Sequence, residues 1–271
     1  MAKRTLIDGV VNRVALVGLE LEGGWDAPVD GHKIIHDGSV KFEDPYTDII
    51  TDPVSGRKTL VARADPKPFP RHNVGEIVSG KLPVEEVEGW LRKCYPQHVN
   101  ETCGLHVHMS FHHKLNYSRL IVPEFTNHVV NELRHFGKRE GVPEGSMFWN
   151  RLNPEHPWTR HHCMHRFLGD KQVLMKKKDY NSRGTDYSRY TFINYPYGQN
   201  LPTVECRGLP MFGAAGRLTA TEDVELAIKA VMAVITATNR FLSKVRLREK
   251  KINVSVPIRP TITYEIGSIV R

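Results

Sequence analysis

Only four cysteines occur in the 271 residues, at positions 94, 103, 163 and 206, and no two form a C-x-x-C pair. A chain of this length buries a core without covalent staples, so the sequence excludes a disulfide framework and predicts reduced thiols. Missing too is any unbroken apolar run approaching the roughly 20 residues that span a bilayer. The opening Met1-Ala2-Lys3-Arg4 leads into a mixed segment with Asp8, Asn12 and Arg13 rather than the apolar stretch of a secretory signal. These absences predict a soluble protein of the cytoplasm with no membrane partner. Internal repeats, low-complexity tracts, a P-loop lysine and a G-x-G-x-x-G are also lacking, and Gly213-Ala214-Ala215-Gly216 reads as a turn.

What remains is an ordinary globular composition, 40% hydrophobic and 25% charged. The length suits one elaborated domain, residues 1–271, with a single active site. A net charge of +8 points to an anionic partner, whether nucleic acid, a nucleoside triphosphate or an acidic substrate.

Along the chain, residues 13–22 read as a strand, and residues 41–72, rich in Pro, Asp and Gly, read as an inserted excursion of hairpins and loops. A short strand at 75–79 precedes a helix with Pro83 near its first turn and Val84, Val87, Leu91 and Cys94 on one face. Cys103 to Phe111 alternates as a strand. Ile121 to Arg139 has the stripe Phe125, Val129, Leu133 and Phe136, with Gly141 beyond its end. Strand-like runs at 190–194 and 203–209 flank Pro196-Tyr197-Gly198. A last helix, Glu222 to Lys244, starts from Thr219 with Glu222 at capping-box spacing. Runs of strands and helices without regular alternation predict an α+β domain, an antiparallel sheet covered by helices.

Residues two apart on a strand project together. Three of the strands carry a chemical pair at that spacing: Glu20 and Glu22, His106 and His108, Glu205 and Arg207. In one sheet these would gather three carboxylates, two imidazoles and a guanidinium on one face, with Glu76 from a fourth strand adding a carboxylate. Carboxylates that repel one another ask for a divalent cation between them. Oxygen-rich donors with an occasional imidazole suit magnesium or manganese better than zinc.

Gly104-Leu105-His106-Val107-His108 resembles the histidine-x-histidine strand of glutamine synthetases, and Val204-Glu205-Cys206-Arg207 resembles their glutamate-x-arginine strand. The full series is similar to the small amidoligases of the carboxylate-amine ligase superfamily. In order, it runs Gly18-Leu19-Glu20-Leu21-Glu22, Asp37-Gly38-Ser39-Val40, Gly75-Glu76-Ile77-Val78-Ser79, Cys103 to His108, Arg189-Tyr190 with Asn194, and Thr203 to Arg207. The resemblance implies a glutamine synthetase-like domain whose curved antiparallel sheet holds ATP and magnesium, with manganese as the alternative ion. It implies an ATP-dependent carboxylate-amine ligase that joins a carboxylate-bearing small molecule or peptide to an amine through an acyl phosphate. By the same comparison Glu20, Glu22, Glu76, His106 and Glu205 are metal ligands and His108 lies near the nucleotide. Arg189 and Arg207 contact phosphates, and Asp37 holds or deprotonates the amine, unless it only makes a turn.

The crowded His161, His162, Cys163 and His165 fit no common zinc spacing, and Lys176-Lys177-Lys178 with Arg183 reads as a solvated charge run. Two other functions stay open on the residues. A metal-dependent amide hydrolase would use His106-x-His108 with the carboxylates to hold zinc or manganese, without ATP. A basic nucleic-acid-binding or particle-associated protein would bind in a salt-sensitive way, against the repulsion of the acidic residues on that face. No feature selects an oligomeric state, the acid or the amine.

Overall fold

The computed structural model describes residues 13–37, 39–40, 47–51, 58–62, 73–112, 116, 119–120, 122–156, 192–194, 203–214 and 218–252. In chain order its elements are β1 (Val14–Gly24), β2 (Thr47–Thr51), β3 (Lys58–Ala62), β4 (Val74–Val78), β5 (Leu82–Pro83), α1 (Val87–Cys94), β6 (Gly104–Phe111), α2 (Pro123–Arg139), α3 (Met147–Arg151), β7 (Ile193–Asn194), β8 (Val204–Pro210) and α4 (Thr221–Ile252). The mixture is α+β, as the pattern of strands and helices predicts.

One sheet runs β4-β1-β6-β8-β7, with β5 also pairing to β1, and every pairing is antiparallel. β2 and β3 form a separate hairpin inside the 41–72 excursion. The sheet is open, and its two faces differ in chemistry because of the period-two alternation. Val17, Leu19 and Leu21 of β1, Leu105, Val107 and Met109 of β6, and Val204 and Cys206 of β8 are all fully buried on the core face.

Helix α4 packs on that face against β1 and β6, and α2 packs against α4. The predicted stripe Phe125, Val129, Leu133 and Phe136 is buried, each such side chain contributing about 1.5–3 kcal/mol. Pro123 opens α2, where its missing N–H is no loss. The helix ends in a Schellman arrangement: Gly141 takes φ 66°, its N–H donates to Lys138 O, and Val142 N–H donates to Gly137 O. α4 is fixed to the sheet where Asn239 Oδ1 accepts from Val14 N–H at 2.8 Å and the Thr238 hydroxyl meets Met109 Sδ at 3.3 Å.

Three local expectations shift, the first being that α4 runs on to Ile252, eight residues past Lys244. Pro83 ends β5, and a 3-10 turn over Val84–Glu86 intervenes before α1 begins at Val87. The cap of α4 lies one residue later than Thr219 and Glu222 suggest: Asp223 Oδ2 accepts from Ala220 N–H at 2.8 Å, while the Thr219 hydroxyl donates to Pro96 O. Thr221–Lys244 within α4 is, by length and composition alone, apolar enough to cross a membrane, but half of its apolar window is buried inside the protein. Cys94, Cys103 and Cys206 are buried free thiols.

Candidate functional site

The sheet's other face carries the three pairs. Register on β1 and β6 sets Glu20 opposite His106 and Gly18 opposite His108, while β4 sets Glu76 opposite Glu22. Placing Glu205 and Arg207 beside them needs more than alternation. Leu105 pairs with Leu209 but Val107 pairs with Cys206, so Arg207 and Gly208 together oppose His106 in a β-bulge. Continued without it, the ladder would set Val107 against Arg207 and turn Arg207 and Glu205 into the core. With it, His108 faces Glu205, and Asn194 of β7 faces Glu205 from the other side.

The side chains converge closely. Glu20 bridges both imidazoles, with Oε2 2.9 Å from His106 Nδ1 and Oε1 2.9 Å from His108 Nε2. Glu205 Oε1 stands 3.8 Å from His106 Nδ1 and 3.7 Å from His108 Nε2 and accepts from Arg207 Nη1, while Asn194 Nδ2 donates to its Oε2 at 2.7 Å. Glu22 Oε1 lies 3.8 Å from His106 Nε2, and Glu22 Oε2 accepts from Gly104 N–H at 2.5 Å. His106, Glu22 and Glu205 form a buried floor, and Glu20 and His108 stand half-buried above it. A Cβ on Gly104 would come within 2.7 Å of His106 Nε2 and 3.0 Å of Glu22 Oε2, so any larger residue here must displace these two side chains.

Electrostatics follow from the crowding. Burial works against the Glu20 carboxylate, but hydrogen bonds from His106 and His108 outweigh it and hold Glu20 well below the usual carboxylate range. Burial, reinforced by the charges of Glu20, Asp37 and Glu22, pushes Glu76 up. For His108 burial favours the neutral ring, yet Glu20 and Glu205 raise its pKa. Arg207 is likewise raised by Glu205 and Glu20 against its burial.

Two groups of donors have ligand atoms all within 4.8 Å of one another: Glu20, His106 and Glu205, and Glu22, Asp37 and Glu76. Repelling carboxylates with one imidazole are a donor set for a hard divalent cation of the magnesium or manganese kind. Asp37 also makes the predicted turn, its Oδ1 accepting from Ser39 N–H at 2.8 Å, so the turn and the place beside Glu22 and Glu76 coexist.

At the His108 end the site opens into a cavity of about 360 Å³, whose wall includes Gly18, Val78, Gly80, Lys81, Ser110 and Thr203. Sequence reasoning missed Gly18 and Lys81 as lining residues and gave Asn194 no task. Gly18 had a signal, since it is two residues before Glu20 and so shares its face. Arg189, the His161–His165 cluster, Lys176 to Lys178 and Arg183 lie outside the described residues. Glu20, Glu22, Glu76, His106, His108, Glu205, Arg207 and Asp37 are brought together. Compared with known proteins, no family model matches this chain, and no curated protein or solved structure matches it either.

Proposed function

We propose that this protein is an ATP- and magnesium-dependent carboxylate-amine ligase, with its antiparallel sheet of the glutamine synthetase-like amidoligase class. The observation that carries this reading is the convergence of two carboxylate-rich donor groups, a held guanidinium and an adjoining cavity on one sheet face. A carboxylate oxygen is a poor leaving group. In the proposed reaction a substrate carboxylate oxygen attacks the γ-phosphorus of ATP and ADP departs, giving an acyl phosphate. An amine then attacks the acyl carbon, inorganic phosphate leaves, and the amine's proton passes to a base.

Magnesium, or manganese, held by Glu20, His106 and Glu205 and by Glu22 and Glu76, would screen the phosphate oxygens. Arg207 and Arg189 would grip phosphate oxygens as planar forks. His108, at the cavity mouth, would border the nucleotide, and the exposed Lys81 on the wall would offer a positive charge to its phosphates. Asp37, next to Glu22 and Glu76, would hold a cationic amine and accept its proton. A metal-dependent hydrolase would seat its amide substrate in the same cavity, so a requirement for ATP is what separates the two readings. The carboxylates on the face oppose nucleic-acid binding.

Glu205→Gln and His106→Ala tests the assignment. Both variants are expected to lose ATP turnover while keeping the wild-type circular dichroism spectrum. Full ATP turnover in both would overturn it.

A further inference from the structure

Arg151, the last residue of α3, is only 2% exposed and has no counterpart among the motifs of the sequence. Its guanidinium is directed at backbone carbonyls. Nη1 donates to Leu209 O at 2.7 Å, and Nη2 donates to Cys103 O at 3.0 Å and to Glu101 O at 3.4 Å. Leu209 pairs with Leu105 in the last regular pair before the Arg207–Gly208 bulge. One side chain therefore ties β6 to β8 at the point where the register is set that keeps Glu205 and Arg207 on the site face.

The Cys103 contact reaches further. Cys103 C=O and Gly104 N–H belong to one planar peptide group. Arg151 and Met211 N–H bind its oxygen end, and its hydrogen end donates to Glu22 Oε2 at 2.5 Å. A cation on one end of a peptide polarises it and strengthens the bond made by the other. Burial draws the Arg151 pKa down to about 10, with the Glu22 charge acting against that pull, so the guanidinium stays charged at neutral pH.

We propose that Arg151 is a positioning residue of the cation site, acting on Glu22 through the Cys103–Gly104 peptide. That peptide fixes Glu22 Oε2 and leaves Oε1 on the His106 side, 3.8 Å from its Nε2. The proposal rests on the metal-binding part of the function proposed above.

The test uses the full chain with Arg151→Met, which keeps length without donors, and Arg151→Lys, which keeps the charge. Manganese affinity is measured by calorimetry, fold by circular dichroism and melting, and the Gly104 amide by its proton shift. Arg151→Met is expected to weaken manganese binding about 10- to 100-fold, the range for groups that orient ligands, and to move the Gly104 amide proton upfield. Arg151→Lys should recover part of both. Wild-type affinity and an unmoved Gly104 amide alongside a lowered melting temperature would make Arg151 purely structural and overturn the proposal. Should Arg151→Met fail to fold, Arg151→Lys decides by the same two readings. A wild-type protein that binds no manganese would overturn the metal-site reading itself, whereas a loss confined to the variants upholds both.

Discussion

Replacing Gly104 by alanine adds a methyl group whose nearest neighbours are His106 Nε2 at 2.7 Å and Glu22 Oε2 at 3.0 Å. Neither is backbone. Gly104 is not among the glycines with positive φ, so alanine fits the strand conformation. Relief therefore comes from the two side chains swinging away, and these are the donors assigned to the cation. Overpacking of this kind costs about 1–3 kcal/mol. If that falls on the ligand geometry, manganese affinity drops by about fivefold to about 150-fold. The fold itself should hardly change, because alanine loses less backbone entropy than glycine, by about 0.5–1 kcal/mol. Titration calorimetry with manganese, run beside thermal melting, separates the two. Affinity within twofold of wild type, or a drop matched by loss of the folded baseline, would refute the reasoning. Gly208→Ala should do the reverse, since its Cβ would lie 1.9 Å from the buried Phe192 ring and the fold must give way.

Other variants probe the two ends of the site. A Cβ at Gly18 meets Gly80 O at 3.3 Å and His108 Cβ at 3.4 Å, so Gly18→Ala should be tolerated while Gly18→Leu fills the cavity. Gly18→Leu is expected to abolish ATP binding in calorimetry and to leave manganese binding nearly intact; unchanged ATP affinity would remove the cavity from the nucleotide site. Glu76 gives a pH-dependent test. Its folded pKa is raised above the ordinary 4.5, so folding disfavours the ionised carboxylate and stability is lost as pH rises from 4.5 through the raised value. Glu76→Gln should therefore raise the metal-free melting temperature at pH 8, not at pH 4, and reduce the rise on adding manganese. A lowered melting temperature at pH 8 would contradict the repulsion.

Much of the site is legible because strands alternate strictly. Glu20 and Glu22, like His106 and His108, have to share a face, and the fully buried Leu21 and Val107 between them show which face is the core. Glu205 and Arg207 are a different matter. Their spacing says that they project together but not which face they join, and a single bulge at Arg207–Gly208 decides it. Arg151 is illegible for a related reason: the short helix it closes has no pattern in the sequence, and its partners are backbone carbonyls that no motif encodes. The α4 cap shows how far a spacing rule goes. Thr219 and Glu222 fit the pattern, but the Thr219 hydroxyl is drawn to Pro96 O, and Asp223 caps Ala220 instead. The pocket wall at Lys81 depends on a turn after β4 that the strand pattern does not specify.

The proposed nucleotide site depends on a divalent cation held by these carboxylates. Calorimetric ATP binding to the purified chain, with and without excess magnesium and in parallel with Glu205→Gln, tests it most directly. Binding should require magnesium and disappear in the variant. No ATP binding under any metal condition, or equal binding by Glu205→Gln, would contradict it.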